Sequence, residues 1–350
     1  MRGVVSDKMF KSNEILSSKV PLIFKNLLDW EFTRWSVEEW KNSLGECNVK
    51  YPFRKGCNTC SQDPVWETNC DTSLLTMSEF FDKFSLSPEC DNTWLYFDYK
   101  HISSWFSDVF KDITWSCVGF PERGAKDSTL WIGTEGAHTP CHYDSYGCNI
   151  VAQLYGKKMW LLFEPSESNN LSPTRVPYEE SSVYSNINFA CSCHHFPDIK
   201  KARCVILEPG DILYVPNHWW HYVENSTSAI SVNTWIPVEI PDNESRVDES
   251  LVKCFITSLV KELDVTDINK ILNPNERDLT EFTTKYNLDE LSYSVQKVKI
   301  QSENETKKIN VEHLNDFTIP TESLHNIIKN IRKCKSSARD QSSGSQDINN

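Results

Sequence analysis

The stretch with the densest chemistry is His138-Thr-Pro-Cys-His142-Tyr-Asp144. On a strand, residues i and i+2 point to the same side, so His142 and Asp144 face one interior together. One imidazole and one carboxylate, joined by a second imidazole from another strand, form the facial triad that holds non-haem Fe(II) and keeps coordination positions open. The second imidazole is read as His221, at the end of Asn217-His-Trp-Trp-His221. A 2-oxo acid takes two of the open positions and O₂ the third. The far carboxylate of a 2-oxo dicarboxylate then needs a cation deeper in the fold. Lys158, which opens the run after Tyr155-Gly156, supplies it as a point charge. Taken singly, a His-x-Asp arises by chance and a strand-end lysine is solvated. Their order along one series of strands is what points to this chemistry.

The elements that must position these residues are short and β-rich: 129–132, 148–155, 158–163, 204–207, 211–215, 221–223 and 229–236. Turn signals such as Tyr155-Gly-Lys157 and Glu208-Pro-Gly-Asp211 separate them. Many short strands at this spacing predict a sandwich or barrel. Residues 164–203 read as a long polar insertion. Residues 1–19 form an N-terminal segment, and 20–127 an α/β segment that buttresses the barrel. Within it, 20–24 and 94–99 read as strands. Capping boxes at Ser36/Glu39 and Thr76/Glu79 open two helices, the first over 37–44. A helical region spans 246–334: Leu251, Phe255, Leu259 and Leu263 recur every fourth residue, and Leu324, Ile327, Ile328 and Ile331 repeat at helical spacing. Residues 335–350, rich in Ser, Gln, Asp and Asn, read as a disordered tail.

Acidic residues outnumber basic ones 49 to 36, a net charge of −13, which argues against nucleic acid as the main partner. No apolar run approaches the ~20 residues of a membrane helix, and Met1 to Lys11 has no signal-peptide core. The 13 cysteines are odd in number and form no short disulfide framework, so reduced thiols in a cytosolic or nuclear protein are expected. Two cysteine clusters offer zinc as an alternative: Cys47, Cys57, Cys60 and Cys70, and Cys191, Cys193, His194 and His195. The first has flanking spacings unlike a standard finger, and the second crowds its ligands. Trp219, Trp220 and Trp235 either line a peptide channel or pack the barrel. His138 and His218 are expected beside the site and not as ligands.

The runs Ser128-Thr-Leu-Trp-Ile-Gly133, Gly136-Ala-His-Thr-Pro-Cys-His142, Asp144-Ser-Tyr-Gly-Cys-Asn149, Pro173 to Val183 and His218-Trp-Trp-His-Tyr-Val-Glu224 carry a family resemblance. Over about residues 20–262 the chain resembles the JmjC-domain Fe(II)/2-oxoglutarate dioxygenases. Within them it is similar to the group containing an asparaginyl hydroxylase and small-heat-shock-protein (Hsp27)-associated JmjC proteins. The resemblance implies a mainly β fold with flanking helices, a double-stranded β-helix (cupin-like jelly roll) over 128–237. It implies Fe(II) on His142, Asp144 and His221. It implies 2-oxoglutarate on Lys158, with Thr139 sharing the C5 carboxylate and Tyr96 helping to hold the cosubstrate. Asn149 and Asn233 fall where the family has polar residues near the iron. The spacing from His142 to Lys158 is one residue longer than in the asparaginyl hydroxylase, and the extra residue falls in Ser145-Tyr-Gly-Cys148. The implied activity is hydroxylation of a protein side chain. The competing readings are a JmjC scaffold binding a small heat-shock protein, an N-methyl demethylase, and a metal cupin without 2-oxoglutarate. Self-association as a homodimer through the C-terminal helices is also expected.

Overall fold

Eight strands lie in two facing antiparallel sheets of a computed structural model that describes residues 11–45, 48–57, 61, 63–84, 93–191 and 199–304. One sheet carries, in spatial order, Ile212–Val215, Cys148–Tyr155, Ala229–Ile236 and Thr129–Gly133. The other carries His138–Asp144, Trp220–Asn225, Lys158–Phe163 and Ala202–Leu207. Successive strands cross from sheet to sheet, except that Lys158–Phe163 and Ala202–Leu207 are neighbours in the same one. This is the expected double-stranded β-helix.

Alternation along the strands sorts the side chains. Trp160, Leu162, Leu213, Val215, Trp219 and Val223 meet between the sheets. Met159, Leu161, Phe163, Trp220 and Tyr222 face the other way and are buried against Leu171, Val183, Phe189, Ala190 and Ile199. Both adjacent tryptophans therefore pack, on opposite faces of one strand. Each indole N–H is satisfied, Trp219 by the Lys19 carbonyl at 3.0 Å and Trp220 by Ser168 Oγ at 2.8 Å.

Both sheets continue past the barrel. Leu22–Phe24 pairs with Ile212–Val215 at one edge of the first sheet, and Thr93–His101, Lys50–Cys57 and Asp71–Thr76 extend the other. The second sheet gains Ser182–Ser185 and Pro173–Glu179 beside His138–Asp144. These two strands correct the reading of 164–203 as a mere polar insertion. Ser182, Tyr184 and Ser185 are buried with Val183 despite their polar letters, because the strand seals what would be an open edge next to the site.

The outer face of the first sheet is covered by Val37–Leu44 and Met77–Phe84. Both capping boxes form: Ser36 Oγ accepts from the Glu39 N–H, and Thr76 Oγ1 from the Glu79 N–H at 3.1 Å. A cap contributes ~1 kcal/mol. Burying Met77, Phe80, Phe81 and Phe84 contributes ~2 kcal/mol each. Packing therefore sets this helix in place and the cap marks where it begins.

The C-terminal helices are Glu239–Val260, Val265–Ile271 and Thr284–Asn304. The first starts at Glu239, earlier than the expected 246, with Glu239 and Asp242 in its first turn favouring the N-terminal end of the helix dipole. Its buried residues include Ser250, Lys253, Ile256, Thr257 and Val260, whereas Phe255 is 75 % exposed and Leu251 and Leu259 are exposed beside it. The stripe at 324–331 and the tail at 335–350 lie outside the described residues.

Candidate active site

His142 and His221 sit opposite each other in register on neighbouring strands, with ring centroids 4.2 Å apart. Asp144, two residues on from His142, reaches the same interior. One ligand atom from each of the three lies within 4.8 Å of the others, and among the described residues no other such cluster of three His, Cys, Asp or Glu occurs. Each imidazole is oriented by its own strand. His142 Nδ1 is 2.8 Å from the Pro140 carbonyl, and His221 Nδ1 is 2.9 Å from the Trp219 carbonyl. A carbonyl only accepts, so Nδ1 carries the proton and Nε2 keeps its lone pair for the interior. Burial, with His221 alongside, pushes His142 down to about 4, so its imidazole is neutral at pH 7. Asp144 Oδ2 accepts from Trp235 Nε1 at 3.1 Å, while Oδ1 lies 3.7 Å from His142 Nε2.

The triad opens into a pocket whose lining includes Tyr96, Thr139, Asn149, Lys158 and Asn233. Lys158 is 2 % exposed and makes no ion-pair contact among the described residues, with Asp98 acting on it only from further away. Its Nζ donates to the Tyr96 hydroxyl at 3.2 Å and lies over the Tyr96 and Trp131 rings. Burial lowers its pKa to about 7. Burial likewise raises the Tyr96 phenol, which hydrogen-bonds Thr139. The Asn233 amide donates to Asn149 Oδ1 at 2.9 Å and accepts from Trp131 Nε1 at 2.7 Å. All eight residues expected at the site thus line one cavity.

Thr139 is there for a reason that strand alternation does not supply. It lies three residues before His142, a spacing that would send it to the other face. The pairing shows why it does not. His221 is opposite His142 and Val223 opposite Thr139, so two steps on one strand face three on the other. This bulge at Pro140–Cys141 returns Thr139 to the interior. Pro140, with no N–H to pair, suits the irregular position. Tyr96 has its own requirement: a Cβ at Gly133, its partner on the next strand, would stand 2.7 Å from the Tyr96 ring.

Residues 7–238 match the family model of the cupin-like domain. The chain belongs to that family. HSPB1-associated protein 1 of Homo sapiens is 41% identical over 288 residues, 77% of this chain and 58% of that protein. The Danio rerio homolog is 42% identical over 275 residues, 73% of this chain and 60% of that protein. Lysine-specific demethylase JMJ30 of Arabidopsis thaliana is 26% identical over 251 residues, 70% of this chain and 56% of that protein. The chain spans about 60% of the length of the curated relatives it matches. These relatives bear out the JmjC resemblance.

Three further side chains of this cupin-like site, Trp160, Trp131 and Tyr99, escaped the sequence reading. Trp160 stacks on His221 at 5.6 Å, and its buried indole N–H has no acceptor among the described residues. Trp131, Tyr99 and Trp235 complete the walls. Counting by two from Lys158 finds Trp160, and from Asn233 finds Trp235. Nothing local marks Tyr99, whose φ is +53°. His138 and His218 are not in the triad. His138 is buried between Trp94 and Tyr222, and His218 Nε2 reaches Ser245 Oγ at 3.0 Å. Of the zinc alternatives, Cys57, Cys70 and Cys191 are described and join no cluster of three. Cys47, Cys60, Cys193, His194 and His195 lie outside the described residues.

Proposed function

We propose that the chain is an Fe(II)- and 2-oxoglutarate-dependent oxygenase that hydroxylates a protein side chain. The observation that carries this reading is a buried ammonium without an ion-pair contact, Lys158, in the same cavity as three convergent metal-ligand atoms. A cupin that binds only metal has no need to bury a cation there, which costs free energy unless an anion joins it. His142, Asp144 and His221 hold the metal. Lys158 binds the C5 carboxylate of 2-oxoglutarate, with the Thr139 and Tyr96 hydroxyls beside it. Bound together, metal and cosubstrate supply the oxidation of a C–H bond by O₂, with succinate and CO₂ released. The chain's own part is positional. Two backbone carbonyls fix the imidazole tautomers, and Trp235 steadies Asp144. Trp131 and Asn149 hold the Asn233 amide in one orientation.

Two finer readings follow from the relatives. The protein named HSPB1-associated suggests a small heat-shock protein as partner or substrate of this chain, either as a scaffold or in catalysis. The more distant relatives named lysine-specific demethylases suggest that an N-methyl group can stand where the hydroxylated carbon would. Residence in the cytosol or nucleus is part of the proposal. Anaerobic titration with Fe(II) and then 2-oxoglutarate tests it. One metal per chain and a metal-dependent 2-oxoglutarate site are expected, followed by succinate release in air against a peptide array. Metal binding without 2-oxoglutarate binding would sink the oxygenase reading.

A further inference from the structure

A chain of polar side chains crosses the first sheet along the wall of the metal pocket. Trp131, Asn233 and Asn149 stand on three neighbouring strands, Thr129–Gly133, Ala229–Ile236 and Cys148–Tyr155. Each step is diagonal. Asn233 is in register with Thr129, two residues before Trp131, and with Val151, two residues after Asn149. Residues two apart on a strand share a face, and diagonal neighbours on that face are within reach of long side chains. All three therefore line the pocket that holds the triad and Lys158. Trp131 is half-buried, and Asn233 and Asn149 are buried.

A carboxamide can stand either way round, so its neighbours decide which end faces where. An indole N–H donates and never accepts. Trp131 Nε1 donates to Asn233 Oδ1 at 2.7 Å, which turns the Asn233 oxygen toward Trp131. The other end of that amide is then Nδ2, and it donates to Asn149 Oδ1 at 2.9 Å. The Asn149 oxygen is taken in turn, and its N–H₂ group is left over. That group has no acceptor among the described residues, and Asn149 lines the pocket. A donor-only indole on one strand thus fixes a donor two strands away. With the chain reversed, Asn149 would present a carbonyl oxygen instead. A donor strengthens the hold on a carboxylate, whereas an oxygen in its place repels it. Trp131 has a second route to the pocket, because its ring lies 5.9 Å from Lys158 Nζ. Phenylalanine keeps an aromatic face there but has no N–H.

We propose that Trp131 is a positioning residue: acting through Asn233, its indole N–H turns the Asn149 carboxamide so that Nδ2, and not Oδ1, faces an anionic ligand bound at the triad. On the oxygenase reading, on which this rests for the identity of the ligand, the anion is 2-oxoglutarate; the relay itself needs only a carboxylate. A double-mutant cycle on the Mn(II)-loaded full chain tests it, with 2-oxoglutarate and, separately, oxalate as the titrated anions. Asn149→Ala should weaken anion binding about tenfold or more. Trp131→Phe should weaken it about fivefold in the wild-type chain and less than about twofold beside Asn149→Ala. A loss that came from the Trp131 contact with Lys158 would instead carry over in full. Asn149→Asp reads the same polarity without touching Trp131: it sets an acceptor where the donor stood and should bind either anion more weakly than Asn149→Ala does. Additive effects with both anions, or an Asn149→Asp variant that binds them as well as wild type, would overturn the inference while leaving the oxygenase reading standing. Coupling read with oxalate in a chain that binds no 2-oxoglutarate would refute the oxygenase reading alone. A Mn(II)-loaded wild type that binds neither anion would overturn both.

Discussion

Replacing Lys158 by Met keeps the volume and removes the charge. Its effects on ligand and fold run in opposite directions. Truncating one partner of a buried hydrogen-bonded charge pair costs about 2–5 kcal/mol. At 1.4 kcal/mol per tenfold, 2-oxoglutarate affinity should fall by roughly 30-fold to several-thousand-fold, while Mn(II) affinity stays within about twofold because Lys158 is not a ligand. The apo protein should respond otherwise. Lys158 titrates near 7 when folded, against about 10.4 in an unfolded chain. Between those values the unfolded state binds more protons, so wild-type stability rises with pH. From pH 7.5 to 9 the gain from this group alone is about 2 kcal/mol, and the 2 % exposure of Lys158 leaves little solvent to screen it. Lys158→Met should lack that rise and be the more stable protein at pH 7.5. Binding supplies a third signature. At pH 8 the apo lysine is about one-tenth protonated, so 2-oxoglutarate should draw in roughly 0.9 proton as its carboxylate restores the ammonium. Calorimetry in two buffers of different ionisation enthalpy reads this uptake, and denaturant unfolding at the two pH values reads the stability. Equal 2-oxoglutarate affinity in wild type and Lys158→Met would remove Lys158 from the site. A wild-type chain that takes up no proton would show that its lysine is already charged and paired.

Three other substitutions probe the site and the surface. Asp144→Ala removes the one anionic ligand, so Mn(II) affinity and succinate release should both collapse while apo melting stays within about 3 °C of wild type; succinate at the wild-type rate under saturating Fe(II) would mean the triad is misassigned. Trp235→Phe deletes the 3.1 Å bond to Asp144 Oδ2 along with part of the pocket wall, and Mn(II) should bind about tenfold more weakly; unchanged affinity would make that contact incidental. Phe255→Glu acts on the exposed stripe: light scattering should read a dimer for the full chain and a monomer for the variant, with melting unchanged, and a monomeric wild type at micromolar concentration ends the idea.

How far the sequence could be read depended on whether a feature obeys a local period. His142 and Asp144 are two apart on a strand, and Lys158, Trp160 and Leu162 alternate inward on another. Both follow from the pleat. The capping boxes are equally local. Thr139 breaks the period, because a bulge exists only relative to the strand opposite it. The stripe of Leu251, Phe255 and Leu259 marks the helix but not its packing. Spacing every four residues names a helix face but not which face is covered. Here the covered face is largely polar. Lys253 pairs with Glu180 at 3.1 Å and Glu290 at 3.2 Å, and Glu249 pairs with Arg175 at 2.7 Å. Partners so distant in sequence leave no periodic trace.

Those polar contacts also explain how the turn after Asp144 is held in place. The 145–147 turn has no regular backbone ladder of its own, and Gly147 adopts φ +66°. It is held from outside. Ser145 Oγ donates to Glu249 at 2.7 Å, the Gly147 N–H donates to Asp242 at 2.6 Å, and Asn217 Nδ2 donates to the Gly147 carbonyl at 3.1 Å. Two of the three anchors lie on the Glu239–Val260 helix, about 100 residues along the chain. The third lies on the loop that leads to His221. Hydrogen bonds to charged groups contribute ~1.5–3 kcal/mol each, more than a loop residue costs in backbone entropy, ~1–2 kcal/mol. The turn is thus fixed while the strand before it keeps its register and Asp144 stays beside His142. The helix that reads as a dimerisation surface on its outer face is, on its inner face, the clamp that holds the carboxylate end of the triad.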